Sequence, residues 1–307
     1  MYPCETIEHG LKTSLHVTLI ASLFFCVLGN GVICLIVARH YQLQTVTNAH
    51  IVNMAIGHLL FAVFCVPMYL SILSRVQLSA WLCSMFGFFF ALFAAVSMLA
   101  LLLIAIERHH AIKSMTKSKL SAITSTRMIL VTWLLSIGYA CGWTLANPSE
   151  TKCTLGSSQL IHFHSCLPYL KPPNTSFSRV TNLLLITCCF FVPLTATLVL
   201  YCKIARPLWR GYNLVRPLGS GNPKMVRFTA EIRTARTMFI IFLLFLTSWA
   251  LYWGIGFYNS YHWPSKTVDN DILTTIIICF AFSSISWNPI IYALRNPRIS
   301  IILHRRK

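Results

Sequence analysis

Few residues in this chain could do chemistry, and most of those stand inside or at the ends of apolar runs. His58 lies in the first half of Asn53-Met-Ala-Ile-Gly-His-Leu-Leu-Phe61. Glu107 and Arg108 are neighbours at the end of another run, and Asn288, Pro289 and Tyr292 interrupt a third. Nothing solvates a polar ring in hydrocarbon, so His58 must face other protein groups or an enclosed water. The planar fork of Arg108 suits carboxylate partners, which it binds bidentately. Pro289 removes a backbone donor, and its ring clashes one turn back. No nucleophile–base pair and no metal cluster stands among these groups, so neither an enzyme nor a metal site is expected. His162 and His164, in Ile161-His-Phe-His-Ser-Cys166, could ligate a metal or sense pH. Two plain surface histidines are the simpler reading.

The elements that carry these residues are long. The chain is 56% hydrophobic and only 10% charged, where a soluble domain carries about 25% charged residues. Seven apolar runs, at about 17–38, 49–72, 82–106, 128–146, 180–204, 237–258 and 272–294, come close to or reach the length of a bilayer-crossing helix. Only helices or closed barrels satisfy their backbone in lipid, and runs this long are helices. The expected fold is an all-α bundle of seven membrane-spanning helices, in one domain over 1–307. Residues 1–16 form an extracellular amino terminus, 17–294 the bundle, and 295–307 a short cytoplasmic tail with a short amphipathic helix. The first residues lack the pattern of a removable signal, so the first span acts as an uncleaved anchor.

A net charge of +18 invites a nucleic-acid reading, but its distribution argues against one. With the amino terminus outside, only Lys12, Arg75, Lys152, Lys171, Arg179 and Lys266 of the 25 basic residues face out. The rest face in, which is the positive-inside bias, and their loops would meet anionic lipid. Of twelve cysteines, Cys4, Cys83, Cys153 and Cys166 fall outside and are disulfide candidates in any of their pairings. Asn174 is an external acceptor for glycosylation.

The polar motifs occur in order: Leu28-Gly-Asn-Gly-Val32, Ala105-Ile-Glu-Arg-His-His110, Trp133, Pro193 with Tyr201, Phe245-Leu-Thr-Ser-Trp249 and Asn288-Pro-Ile-Ile-Tyr292. Together they resemble the rhodopsin-like (class A) G-protein-coupled receptors over nearly the whole chain. Ala230-Glu-Ile-Arg-Thr-Ala235, Leu246-Thr-Ser-Trp249 and Trp287-Asn-Pro-Ile-Ile-Tyr-Ala293 look most like rhabdomeric opsins and melanopsins. The resemblance implies that Arg108 pairs with Glu107 and Glu231 at rest and meets a heterotrimeric G protein when released. It implies that Tyr201, Asn288, Pro289 and Tyr292 take part in that switch, and that Cys83 bridges Cys166. Cys4–Cys153 would be a second bridge. The bland alternatives are a static ion pair and a static proline kink.

The departures from the family are as informative. His58 stands ten residues after Asn48, where the family has an aspartate that holds sodium with groups matching Asn30, Ser97, Ser284 and Asn288. A neutral histidine can hydrogen-bond to these, and a protonated one repels the ion, so no sodium site is expected. A satisfied core histidine is the plain reading; a proton-sensitive switch is the sharper one. Phe282 replaces the lysine that binds retinal in an opsin, so no Schiff base forms. Phe86 and Phe90 stand where a charged partner would be, which disfavours an amine ligand. Leu251 replaces the kink-forming proline of the sixth span, so that helix is either straighter or takes its flexibility from Gly254 and Gly256, and His109 follows Arg108 in place of a tyrosine. Helix spacing and the resemblance together line a pocket with Phe90, Ala91, Ala94, Leu185, Cys189, Trp249, Tyr252, Trp253, Ile278 and Phe282. Such a pocket suits a neutral lipophilic ligand, unless these side chains only fill the core. The expected protein is therefore an orphan G-protein-coupled receptor of the plasma membrane, multi-pass, with lipid and an unknown ligand as partners and no cofactor. The alternatives are an opsin relative that holds retinal non-covalently, and a ligand-independent membrane partner of another receptor.

Overall fold

The computed structural model describes residues 2–74, 76, 78–113, 120–147, 166–167, 175–211, 223–262 and 271–295. The side chain of Cys4, and Cys153, His162, His164, Asn174 and the helix expected after 295, lie outside the described residues. The helices are α1 (Tyr2–Arg39), α2 (Val46–Leu73), α3 (Ala80–Lys113), α4 (Ala122–Ala146), α5 (Ser176–Ile186), α6 (Val192–Gly211), α7 (Pro223–His262) and α8 (Asp271–Arg295). A five-residue π-turn, Thr187–Phe191, joins α5 to α6 into the fifth span. Seven stretches are long and apolar enough to cross a membrane, one for each expected run.

The helix starts follow from local chemistry. Thr45, Ser121 and Thr175 each accept a backbone N–H three residues on, at 3.3, 3.1 and 3.1 Å. Such caps satisfy donors that a first turn leaves open. Ser121 sets the start of α4 at Ala122, ahead of the apolar run that begins near 128. α1 likewise starts at Tyr2, well before the expected span. Ser14 and Thr18 return their hydroxyls to Gly10 and Ser14 carbonyls at 2.9 and 2.8 Å, so the polar start continues the helix.

α3 is the centre of the bundle: 78% of its most apolar window is buried, against 28% for α4. It packs on α2, α4, α6 and α7, while α1 closes against α2 and α8. Two glycines set the closest approaches. A Cβ at Gly29 would stand 2.6 Å from Cγ of Pro289, so the proline ring of α8 sits in a notch of α1. A Cβ at Gly87 would stand 2.4 Å from Cζ3 of Trp143. The Cys83–Cys166 disulfide, with 4.9 Å between Cα atoms, ties the start of α3 to the segment that holds buried Leu167.

Candidate functional site

Near one end of α3, Arg108 is 3% exposed and its fork is filled. Nε and Nη2 bind the carboxylate of Glu107, and Nη2 also donates to Oγ1 of Thr47 on α2. Nη1 donates to Oε2 of Glu231 on α7 at 2.6 Å. Thr47 closes the set by donating to Oε1 of Glu107 at 3.0 Å. One guanidinium thus joins three helices through charge-assisted bonds, a geometry that a lysine could not reproduce. Glu231 keeps 21% of its side chain exposed, the more open of the two carboxylates on Arg108.

The same end of α2 is a polar hub. Tyr292 Oη donates to Oδ1 of Asn48 at 2.7 Å, and Asn48 Nδ2 donates to the Leu43 carbonyl at 2.6 Å. His50 Nε2 meets Ser125 Oγ at 3.2 Å, and Trp133 Nε1 donates to Asn53 Oδ1 at 2.8 Å. Tyr292 therefore points at α2 in this state. Tyr292→Phe is expected to lower the unfolding midpoint by the loss of one bond, about 1 kcal/mol. Adding Asn48→Ala should then cost less than it does alone, because the two act as a pair. Full additivity in thermal unfolding would show that the bond contributes nothing. Tyr201 is buried against Phe239 at 5.0 Å between ring centroids, and its hydroxyl meets no partner among the described residues.

The expected core polar residues are all buried but do not form one mutual network. Asn30 donates to the Cys26 and Ile285 carbonyls at 3.0 and 3.3 Å. Ser97 returns its hydroxyl to Phe93, and Ser284 to Ala281. Nδ1 of His58 makes no hydrogen bond among the described residues. Asn30, Asn288, Pro289 and Tyr292 line a cavity of about 10 Å³, with room for about one water.

In the other half of the bundle, Phe90, Ala91, Ala94, Trp249, Tyr252, Trp253, Ile278 and Phe282 are all buried. The rings fill the space between them: Phe90 lies 5.3 Å from Tyr252, 5.7 Å from Phe282 and 5.8 Å from Trp249. Trp249 Nε1 donates to Ser284 Oγ at 2.9 Å. From the fifth span, Ile186 and Phe190 are fully buried, and Phe190 stacks on Trp253 at 5.1 Å. Leu185 and Cys189 are half-buried one position earlier, and Leu185 leans on Gly142 of α4. Ile186 and Phe190 continue the buried series Ser178 and Asn182, four residues apart, which runs from α5 into the π-turn. Thr47, Asn48, His50, Asn53 and Phe61 were not singled out from the sequence. The polar four sit in the first turns of a run, where they resemble a wet helix start.

The seven-helix bundle and the arginine clasp define a membrane receptor rather than an enzyme. The chain matches the family described as 7 transmembrane receptor (rhodopsin family) over residues 29–292, and it belongs to that family of class A receptors. It is a multi-pass protein of the plasma membrane. It is 26% identical to G-protein coupled receptor 135 of Rattus norvegicus over 99% of this chain and 66% of that protein. It is also 26% identical to Neuropeptide FF receptor 2 of Rattus norvegicus over 89% of this chain and 67% of that receptor. A Melanopsin-like protein of Danio rerio is 26% identical over 91% of this chain and 55% of its own. The chain thus spans about two-thirds of the length of such relatives. The squid rhodopsin crystal structure superposes with a TM-score of 0.80, covering 96% of this chain and 85% of that one at 20% identity. That likeness is one of fold.

Proposed function

We propose that this chain is a receptor that acts on a heterotrimeric G protein through Arg108, with the Arg108 end of the bundle in the cytoplasm. The observation that carries this reading is the single guanidinium shared by Glu107, Thr47 and Glu231. Freed from Glu231, whose side chain is 21% exposed, Arg108 is released toward that side of the bundle. The excess of basic residues in the loops at that end supports the orientation. Phe282 offers no amine, so retinal is not held covalently, and His58 disfavours a sodium ion. A core filled by its own rings fits basal activity, or a neutral lipophilic ligand bound above those rings, better than it fits an amine.

The test is nucleotide exchange on a panel of purified G proteins, by membranes holding the native chain or Glu231→Ala. Loss of one charge-assisted bond, about 1.5–3 kcal/mol, should raise basal exchange roughly tenfold or more on at least one G protein. A blank from both proteins across the panel would overturn the reading.

A further inference from the structure

We propose that Phe61, Phe90 and Phe282 are a built-in occupant of the bundle core, set where a small ligand would have to lie to touch Trp249. The inference concerns the core of the same receptor site, and it rests on the receptor reading only in taking Trp249 as part of the lining that a ligand would meet. The three rings come from three different spans, the second, third and seventh. All three are at most 1% exposed. Phe61 meets Phe282 edge to face at 4.9 Å, Phe90 at 5.6 Å and Trp249 edge to face at 6.0 Å. Tyr69 backs Phe282 at 5.2 Å, and Tyr252 backs Trp249 at 5.7 Å. These are the offset and edge-to-face arrangements that aromatic groups prefer. They are the contacts a planar apolar ligand would make in a cavity at this level.

The indole N–H of Trp249 is already engaged by Ser284, which leaves its ring faces and edges for apolar contact. Phe61 and Phe90 take two of those contacts, and Phe245 stacks on another at 5.8 Å. Leu167, beside the disulfide, is fully buried and belongs to the same apolar cluster. No lysine, arginine or carboxylate belongs to the ring set. A cavity opened here would be lined by apolar groups, and such cavities stay dry and accept small arenes. Phe61 and Phe282 therefore decide what the core can bind: intact, they exclude small molecules; truncated, they create a site for an arene.

The experiment uses the full chain in lipid nanodiscs, toluene as probe and the thermal unfolding midpoint as readout. Phe282→Ala and Phe61→Ala should each unfold several degrees below the native chain, and saturating toluene should restore about half of the loss or more. The native chain should not shift. Phe24→Ala, a ring 60% exposed on the lipid face, controls for solvent effects and should be neither lowered nor restored. If an alanine variant does not fold, the Leu variant at the same position gives a smaller fall with the same rescue. An equal toluene shift in the native chain, or variants that toluene does not restore, would overturn the proposal. No G protein enters this assay, so failure of the coupling reading would leave its outcome unaffected.

Discussion

Arg108→Ala is expected to abolish nucleotide exchange and to destabilise the resting receptor at the same time. Among the described residues, the guanidinium is the only charged partner of Glu107, whose residue exposure is 7%. Without it, that carboxylate stays buried with the Thr47 hydroxyl as its one partner among the described residues. Removing one member of a buried ion pair costs about 3–5 kcal/mol, mostly because the other charge is stranded. Glu231 loses less, since its side chain is partly hydrated. Glu107→Gln in the same background should recover part of the stability and none of the exchange. Arg108→Lys keeps the charge but presents a point donor, so it cannot reach Glu107, Glu231 and Thr47 together. The measurement pairs thermal unfolding with exchange on the G protein that responds to the native chain. Native-like exchange from Arg108→Ala would sink the idea that Arg108 carries the signal. A native-like midpoint would show that the clasp is solvated.

Gly87→Ala is expected to lower the amount of folded protein, although it adds a single methyl group. That carbon would stand 2.4 and 2.6 Å from Cζ3 and Cη2 of Trp143, and 3.1 Å from the Cys166 carbonyl oxygen. Neither neighbour can retreat. Trp143 is itself buried, and the Cys166 backbone is fixed to α3 by the disulfide. Overpacking of this kind costs about 1–3 kcal/mol. Trp143→Phe shortens the opposing ring where the clash falls, so the double variant should recover most of the loss. Surface expression and the unfolding midpoint read the effect. Equal values for Gly87→Ala and the native chain would mean that α3 and α4 are not in contact there.

The spans were legible because their apolar runs are long and few residues interrupt them. Their starts were less so: α4 begins at Ala122 because Ser121 caps it, a short-range signal hidden in a polar stretch. The clasp partners Glu107, Arg108 and Glu231 followed from the family resemblance, and the structure brings all three together. Thr47 and Asn48 carry no such motif, and their contacts with Glu107 and Tyr292, 60 and 244 residues along the chain, leave no local mark. Phe61 was hidden for another reason. The second run is apolar on every side, so periodicity marks no inward face. Helix spacing and the resemblance together place Leu185 and Cys189 inward, whereas the buried face of the fifth span runs through Ser178, Asn182, Ile186 and Phe190.

The sixth span has a mechanical consequence. α7 runs unbroken from Pro223 to His262, with no proline after its first residue. With no proline inside it, a tilt of α7 as one piece would turn about Trp249, which is tied to α8 through Ser284. Glu231 lies 18 residues to one side and Tyr261 12 to the other, which makes lever arms of about 27 and about 18 Å. An outward swing at Glu231 is then matched by an inward swing about two-thirds as large at Tyr261. Such a tilt would gear the two mouths of the bundle in opposition. A partner wedged into one mouth would narrow the other, and a grip on the far end would resist the wedge.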